Sequence, residues 1–282
     1  MPKPPYSSWM RYFSPTANHR RLGLVCLGVG VQQGLLPVVG PRALDHHVAV
    51  VVTRGRGWFS HGGRPPQPVA APALLWLVPG VEHHYGPDPE TGWDECFVDF
   101  AGRGVEAYTD LGYVTPDRPL VPLSGTEGVR HVVDGIVRAA RRGGPLLEVE
   151  AAAAVHGLLV ALRYARAEVS RHGDAVMDAL ARDALLPIPV AEHAARLGIP
   201  LPELRAAVRR STGEGVKEYL LGIRLSRAKE LLARTDLPVA GIARRVGYED
   251  AAYFSRLFSR RVGMAPVRFR RQQSTLPRPQ GR

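Results

Sequence analysis

The chain has 282 residues, of which 45% are apolar and 22% charged, and its formal net charge is +11. This composition excludes a disordered or fibrous chain, and the length favours two domains over one. The longest apolar run, residues 22–31, is too short to cross a bilayer, and the first residues lack the apolar segment of a signal peptide. We therefore expect a cytoplasmic protein.

The positive charge is concentrated in one part of the chain. Residues 173–282 contain 20 Lys and Arg against 11 Asp and Glu, whereas residues 1–172 contain 17 against 15. A generally Arg-rich composition explains the total charge but not this asymmetry. The second part of the chain is therefore expected to bind a polyanion, either nucleic acid or an acidic membrane surface.

The N-terminal half has the pattern of short strands. Residues 47–60 form a β-branched run interrupted by glycine, residues 73–86 form a second run, and residues 93–100 alternate between apolar and polar. Such strands, punctuated by Gly and Pro, are typical of a sandwich or barrel rather than of βαβ units.

A change of pattern at about residue 145 predicts a helix over residues 148–169. Its apolar residues recur at alternating steps of four and three, which forms a heptad seam suited to pairing with a second copy. The seam consists of Ala151, Val155, Leu158, Leu162, Ala165 and Val169. The helix therefore predicts a homodimer, and the alternative is an ordinary helix packed on its own domain. A polar hinge at residues 170–174 follows.

The basic part of the chain contains the same unit twice. Residues 189–210 and 238–261 both begin Pro-Val-Ala, and each continues with a mid-helix alanine, a turn glycine and a second amphipathic helix. The alanines and glycines are Ala194 and Gly198 in the first unit and Ala243 and Gly247 in the second. A small residue where two helices cross, followed by glycine at the corner, is what a helix-turn-helix requires. Two copies predict two DNA recognition helices.

The segment between the two copies, residues 215–234, predicts one continuous amphipathic helix. At 1.5 Å per residue it is about 28 Å long, against about 34 Å for one turn of B-DNA. A rigid helix of this length could hold two recognition helices in successive major grooves on one face of the duplex. Its core side is predicted to consist of Val216, Leu220, Ile223, Leu231 and Leu232.

Residues 224–270 carry four motifs: R-L-x-x-A-x-x-L-L, I-A-x-x-V-G-Y, Y-F-S-R-x-F and G-x-x-P-x-x-F-R, the last of which ends at Arg270. In these motifs the chain resembles the AraC/XylS family of transcription regulators, over about a hundred residues. Upstream, residues 53–57 and 79–90 are similar to the sugar-binding cupin domain found in that family.

The resemblance implies an α+β chain of two domains. The first is a cupin-like β-barrel with dimerisation helices, and the second is an all-α domain with two helix-turn-helix units. We place the effector-binding domain at residues 1–145, the dimerisation helix and linker at 146–172, the DNA-binding domain at 173–272 and a disordered tail at 273–282.

The outward faces of the two second helices are the candidate DNA contacts. They comprise Glu203, Arg205, Ala206, Arg209 and Arg210 in the first unit, and Glu249, Asp250, Ala252, Tyr253, Ser255, Arg256 and Arg260 in the second. An arginine can bond bidentately to guanine or contact a phosphate, and the alternative for each is a solvated surface charge. Pro200 replaces the family's usual capping residue, and Asp250 has capping as its alternative role.

In the cupin-like domain the resemblance implies a pocket for a small polar effector, with sugars among the candidates. Carried over residue by residue, Arg54 is a hydrogen-bond donor to the ligand and Tyr85 lines the pocket, while Phe97 and Glu95 stand where sugar-binding relatives have Trp and His. The N-terminal segment would cover the ligand with Trp9, Tyr12 and Phe13. Each of these residues has a core or rim position as its alternative.

No motif supports catalysis or a bound cofactor. The N-terminal histidines lack the spacing of metal-binding cupins, so we expect no metal site at His46, His47, His61, His83 or His84. The sequence contains no nucleophile elbow, P-loop or dinucleotide fingerprint. Cys26 and Cys96 lie in apolar segments and are expected to be buried and reduced, with a disulfide or redox sensor as the alternative.

These features together predict a dimeric, effector-responsive transcription activator that binds direct-repeat promoter DNA and contacts RNA polymerase, without a membrane partner. One alternative is a regulator whose barrel is occluded and which acts through protein contacts. The other is a cupin metalloenzyme with an accessory DNA-binding tail. A stoichiometric bound metal would favour the enzyme, whereas a thermal shift caused by sugars, polyols or aromatic acids would favour the effector-responsive regulator.

Overall fold

The structure, a computed structural model, describes residues 6–166 and 173–274. The chain divides into two compact units, Met1–Arg171 and His172–Arg282. Within the described residues, all strands belong to the first unit and the second is helical. Among all the described residues of both units, no helix is long and apolar enough to cross a membrane.

The strands of the first unit are β1 (Tyr6–Tyr12), β2 (Val25–Gly34), β3 (Val39–Arg42), β4 (His47–His61), β5 (Gln67–Ala70), β6 (Ala73–Leu77), β7 (His83–Pro87), β8 (Trp93–Ala101) and β9 (Leu120–Pro122). Its helices are α1 (Ala17–Arg20), α2 (Gly104–Asp110), α3 (Glu127–Arg142) and α4 (Leu147–Ala165). The helices of the second unit are α5 (Gly173–Asp183), α6 (Val190–Arg196), α7 (Leu201–Thr212), α8 (Val216–Arg234), α9 (Val239–Arg245), α10 (Ala251–Val262) and α11 (Pro266–Ser274).

Strand β4 connects the two parts of the sheet. Its first part, from Val48 to Val52, pairs antiparallel with β6 and β8, and its second part, from Arg56 to His61, pairs with β5 and β7. The first part of the sheet has the order β1-β2-β8-β4-β6-β9, and β3 joins β7 in the second part. The predicted fold, a cupin-like sheet domain followed by a helical domain, is confirmed.

Side chains of β4 alternate between two cores, as the pleat of a strand requires. Val48, Val50 and Val52 pack in the barrel interior with the aromatic residues of β7 and β8. Ala49 and Val51 pack on the opposite side, in the core that α3 and α4 cover. The helices therefore close one side of the sheet, while the other side faces the interior.

The predicted seam of α4 is buried within the first unit. Ala151, Val155, Leu158 and Leu162 are all inaccessible to solvent and belong to the core shared with α3 and β2. A stripe buried in this way has no free surface for a second copy. The seam is therefore that of a helix packed on its own domain, which was the alternative prediction. The last predicted seam residue, Val169, lies outside the described residues.

The second unit repeats one arrangement of helices. α5, α6, α7 and the first half of α8 surround a core that includes Leu204 and Val208. α9, α10, α11 and the second half of α8 surround a core that includes Phe254 and Phe258. The predicted spacer is thus the single helix α8, whose 19 residues span about 28 Å and belong to both cores.

The backbone requires glycine at both helix-turn-helix corners. Gly198 and Gly247 have φ angles of 67° and 83°, in a region that residues with a Cβ rarely adopt. A Cβ at Gly247 would also lie 2.6 Å from the carbonyl oxygen of Leu185. The repeat in the sequence is therefore also a repeat in backbone geometry.

Beyond the second core, α11 continues to Ser274, slightly past the predicted domain end at residue 272. The rest of the predicted tail, residues 275–282, lies outside the described residues, as does most of the predicted hinge at 170–174. The predicted domain limits at these two places therefore remain predictions.

Candidate nucleic-acid interface and ligand cavity

The first candidate recognition helix, α7, has one buried side and one exposed side. Leu204, Ala207 and Val208 are buried in the core of the first helix-turn-helix unit. Pro200 occupies the N-cap position without a side-chain hydrogen bond to the helix, as its ring chemistry predicts. The exposed side carries the five predicted contact residues, Glu203, Arg205, Ala206, Arg209 and Arg210.

The second candidate recognition helix, α10, is divided in the same way. Phe254 and Phe258 are fully buried. Ser255 is half-buried, and its hydroxyl donates a hydrogen bond to the carbonyl oxygen of Ala251 at 2.8 Å, so this side chain is already engaged by its own helix. The exposed side carries Ala252, Tyr253, Arg256 and Arg260.

Asp250 is the N-cap of α10. Its Oδ1 accepts hydrogen bonds from the backbone N–H groups of Tyr253 at 3.0 Å and Ala252 at 2.8 Å. These bonds lower the pKa of the carboxyl group, because they favour its charged form. The structure therefore places Asp250 in the capping role, and Glu249 lies exposed just before it.

Arg224 of α8 connects the two helix-turn-helix units. Its Nε donates to the carbonyl oxygen of Ala184 and its Nη2 to that of Leu186, both at 2.7 Å. Its guanidinium group lies 5.3 Å from the centre of the Tyr248 ring, at the corner that precedes α10. Sequence reasoning assigned Arg224 only to a family motif, because bonds to backbone carbonyls leave no pattern in the sequence.

The barrel interior of the first unit contains a cavity of about 310 Å³. This volume is at the lower end of the range for ligand sites, about 300–1,000 Å³, so the cavity suits a small ligand. Apolar strand residues form much of its wall, including Val48, Val50 and Leu77. The polar side chains that line it are Tyr12, Gln32, Arg42, His46, Tyr85 and Asp99.

Three of the predicted effector residues, Tyr12, Tyr85 and Phe97, line this cavity. Glu95 is buried on the same face of β8 as Phe97, and its Oε2 accepts a hydrogen bond from the indole nitrogen of Trp93 at 3.0 Å. Because side chains alternate along a strand, Glu95 and Phe97 both point to the interior. The structure thus brings Tyr12, Tyr85 and Phe97 together at the cavity, whereas Glu95 does not line it and borders a separate groove.

Trp9 and Phe13 lie away from the cavity. Both pack against the core beneath α3 and α4, and the guanidinium group of Arg141 lies 5.1 Å from the Trp9 ring. The reason is again alternation along β1, which directs Met10 and Tyr12 to the cavity and Trp9 and Phe13 to the helical side.

Arg54 also lies away from the cavity. It is exposed and lines a separate groove together with Asp94, Arg130 and Asp134. The pairing of β4 with β8 shifts its register between Val52 and Arg54, and this irregularity interrupts the alternation that would have directed Arg54 inward.

Sequence reasoning missed Arg42, His46 and Asp99. Asp99 was detectable, because it follows Phe97 by two residues and therefore lies on the same face of β8. Arg42 ends β3, a short strand without a clear apolar pattern, and His46 lies in the connection that follows. These positions become part of the pocket only when β3 pairs with β7.

Burial determines the electrostatics of the cavity. It raises the pKa of Asp99 to about 6 and that of Glu95 to about 7, and it also raises the pKa of Tyr85. The Nε–H group of Arg42 donates a hydrogen bond to Nε2 of His83 at 3.3 Å. Burial lowers the pKa of His83 to about 4. His83 is therefore neutral and holds Arg42 at the mouth of the cavity.

The two cysteines considered for redox chemistry belong to the hydrophobic core that α3 and α4 cover. Cys26 and Cys96 are free and buried, as predicted. In the part of the chain that the structure describes, no group of three or more His, Cys, Asp or Glu side chains could hold a metal ion.

Two family models match the chain in the regions just described. A model described as an AraC-like ligand binding domain matches residues 36–159, and a model described as a helix-turn-helix domain matches residues 193–272. The chain belongs to the AraC family of transcription regulators. As an AraC-family protein it is a DNA-binding regulator with a ligand-binding domain, and the family is not one of enzymes.

Similar proteins cover most of this AraC-family chain. The arabinose operon regulatory protein of Salmonella typhimurium LT2 is 28% identical over 249 residues, which are 82% of this chain and 85% of that protein. The protein of the same name from Escherichia coli K12 is 28% identical over 252 residues, 82% of each chain. The HTH-type transcriptional activator RhaR of Enterobacter sp. strain 638 is 46% identical over 67 residues, 24% of each chain.

Proposed function

We propose that this AraC-family protein is an activator that binds direct-repeat promoter DNA through α7 and α10 and is controlled by a small effector in the barrel cavity. The observation that carries the proposal is the pair of exposed, arginine-bearing helix faces, each backed by a buried apolar side. An activator bound beside a promoter also contacts RNA polymerase. The relatives named for the arabinose operon keep sugars among the candidate effectors.

The exposed arginines have the chemistry that DNA recognition requires. Arg256 and Arg260 on α10, with Arg205, Arg209 and Arg210 on α7, can each bond to guanine or to a phosphate. Asp250 caps α10, which fixes where the helix begins and hence which side chains reach a groove. Glu203 and Glu249 are proposed to accept hydrogen bonds from the amino group of cytosine or to repel neighbouring phosphates.

The cavity residues Tyr12, Tyr85 and Phe97, together with Arg42 and Asp99, are proposed to contact the effector. Control requires that the effector bind one arrangement of the protein more tightly than another, because equal affinity for both would shift no population. An effector that fills the cavity touches Tyr12 on the edge strand β1, and this contact supports coupling between occupancy and the position of the N-terminal strand.

For the homodimer, we infer that the outward face of α4 replaces the predicted seam. Three large apolar side chains on this face are solvent-exposed: Val149 by 42%, Val160 by 38% and Tyr164 by 74%. Ala153 is exposed between them, so the four positions are separated by four, seven and four residues. This spacing is that of a coiled-coil face, and burying it against a second copy would remove apolar surface from water.

DNA binding is tested with the full chain and an operator selected from random DNA. The selected sites should contain two half-sites about one helical turn apart. Arg256→Ala is expected to weaken specific binding by about 1–3 kcal/mol if the side chain reads a base, as measured by fluorescence anisotropy titration. Arg227→Ala is the matched control, since Arg227 pairs with Glu230 on α8 at 2.7 Å.

Three results of this titration are informative. Loss of affinity confined to one operator position assigns Arg256 to a base, and equal weakening on all DNA assigns it to a phosphate. Unchanged affinity of Arg256→Ala refutes its role in binding. A full chain that selects no sequence would contradict the proposed regulator.

A further inference from the structure

Two polar side chains in the cavity have no hydrogen-bond partner within residues 6–166 and 173–274. Asp99 is 7% exposed and Tyr85 is 5% exposed, and both line the cavity. Among the described residues, neither the carboxylate of Asp99 nor the hydroxyl of Tyr85 takes part in a hydrogen bond or an ion pair. Their oxygen atoms face the open space of the cavity, and polar groups in such positions nearly always find partners in water or in a ligand. The two groups are therefore available to a bound ligand.

Glycines of the neighbouring strand β2 leave the space that the side chain of Asp99 occupies. Gly28 of β2 pairs with Asp99, and a Cβ at Gly28 would lie 2.4 Å from its Oδ2. Gly30 pairs with Phe97, and a Cβ there would lie 2.2 Å from the Phe97 ring. Two glycines thus leave room for one carboxylate and one aromatic ring side by side. The site is formed before any ligand binds.

The charges around Asp99 favour a cation in the cavity. A second carboxyl group, that of Glu95, is buried on the same strand face, outside the cavity lining and bonded to Trp93. Arg42 and His46 are close enough to lower the pKa of Asp99, but neither forms an ion pair with it, since Arg42 is exposed and donates to His83 and His46 lies 2.6 Å from Asp45. In the described part of the chain no ion pair includes Asp99, so this carboxylate can still pair directly with a cationic group of a ligand.

The walls of the cavity also suit a cation. The buried rings of Tyr85 and Phe97 line it, with the exposed ring of Tyr12 beside them, and aromatic rings attract ammonium groups most strongly where water is excluded. Arg42 at the mouth has donors for an oxygen of the ligand. The cavity lining therefore offers contacts both for a cation and for an oxygen of the same ligand.

We infer that the cavity binds a small amino compound whose ammonium group pairs with Asp99 beside Phe97 and Tyr85, and whose hydroxyl or carboxylate oxygens bond to Arg42 at the mouth. An amino sugar and an amino acid both have this chemistry. The inference rests on the proposed function, which makes the cavity the effector site. A neutral sugar could also donate hydroxyl groups to Asp99, and matched ligand pairs separate the two classes.

The experiment compares amines with their hydroxyl counterparts on the full chain near neutral pH. The probes are D-glucosamine against D-glucose, D-galactosamine against D-galactose, and L-serine against L-glycerate, each followed by thermal shift and by calorimetric titration. We expect at least one amine to raise the melting temperature and its hydroxyl counterpart to have no such effect. Equal binding of both members of every pair, or binding of neither, overturns the inference without any variant.

Variants then locate the contact. Asp99→Asn is expected to weaken binding of the amine by roughly 30-fold or more, because the ammonium group loses its buried partner. Tyr85→Phe keeps the ring and should weaken binding less, and it serves as the second variant if Asp99→Asn does not fold. Asp134→Asn, on the exposed surface of α3, is the charge-matched control. An amine that binds Asp99→Asn as tightly as wild type overturns the assignment.

The outcome is separable from that of the proposed function. Binding of a neutral sugar that raises operator affinity would keep the effector-controlled regulator and reject the amine. Operator selection by the full chain reports on DNA binding whether or not any probe binds.

Discussion

His193 of α6 lies inside the core of the first helix-turn-helix unit, with 1% of its surface exposed. Neither of its ring nitrogens has a hydrogen-bond partner among the described residues. Burial lowers the pKa of His193, and the positive charge of Arg224 adds to this effect. The neutral ring is therefore the form that the core accommodates, and protonation favours the unfolded state.

A lowered pKa at His193 predicts that the stability of the second unit depends on pH. Below about pH 6.5, the usual pKa of an unfolded histidine, the unfolded chain binds a proton that the folded His193 does not. We expect the free energy of unfolding to fall as the pH drops below that value, and His193→Leu to reduce the slope by up to about 1.4 kcal/mol per pH unit.

Urea unfolding, followed by circular dichroism between about pH 7.5 and about pH 5.5, measures the slope. His131→Leu on the exposed side of α3 is the control and should leave it unchanged. A His193→Leu protein with the wild-type slope would show that His193 titrates normally in the fold.

Helix α8 acts as the common element of the two helix-turn-helix units. Val216 and Leu220 belong to the first core, whereas Ala228 and Leu232 belong to the second. Arg224 lies between these two pairs and bonds to the loop that follows α5. The helix therefore holds the two helix-turn-helix units in a fixed orientation through the hydrogen bonds of Arg224 as well as through apolar packing.

Arg224→Met tests this element. It leaves two carbonyl groups without their donors, and we expect the free energy of unfolding to fall by about 2–3 kcal/mol, since hydrogen bonds from charged groups are worth that order of energy. Because the side chain also touches the corner before α10, affinity for a two-half-site operator should fall more than affinity for a single half-site.

Arg234→Met is the control, because Arg234 is exposed on the last turn of α8. Arg224→Lys should recover part of the stability, since an ammonium group can reach one carbonyl but not both. Equal losses on one and two half-sites would mean that Arg224 stabilises the fold without orienting the units.

At the scale of the whole molecule, charge and apolar surface are divided between the two units. Most of the excess positive charge belongs to residues 173–282, which contain both candidate recognition helices. The first unit contains the cavity and the exposed apolar face of α4. This division suits a protein in which one unit binds an effector and a second copy while the other binds DNA.

Val160→Glu tests the proposed dimer. A charge in the middle of the exposed α4 face should convert the protein to a monomer in sedimentation velocity and weaken binding to operators that carry sites for two protomers. Arg138→Glu on the exposed side of α3 is the control. A Val160→Glu protein that remains dimeric would show that the interface lies on another surface.

Local patterns predicted much of the second unit. Its signals are local, because each one involves no more than about twenty residues of chain. These signals are the corner glycines, the small residues at the helix crossings and the helical period of α10. Exposure of Arg205, Arg256 and Arg260 followed from that period alone. The same reasoning identified the period of α4 but not the partner of its seam, because a buried stripe and a dimer stripe have the same spacing.

The sequence by itself determined the two domain types, the paired helix-turn-helix units and the faces their second helices expose, because helical period, turn glycines and charge are local properties. Only the tertiary structure decided which polar groups share the cavity. Arg42, Tyr85 and Asp99 come from three strands, and their meeting depends on long-range pairing. The shift after Val52 excludes Arg54 for the same reason, since the register of a strand is set by its partner.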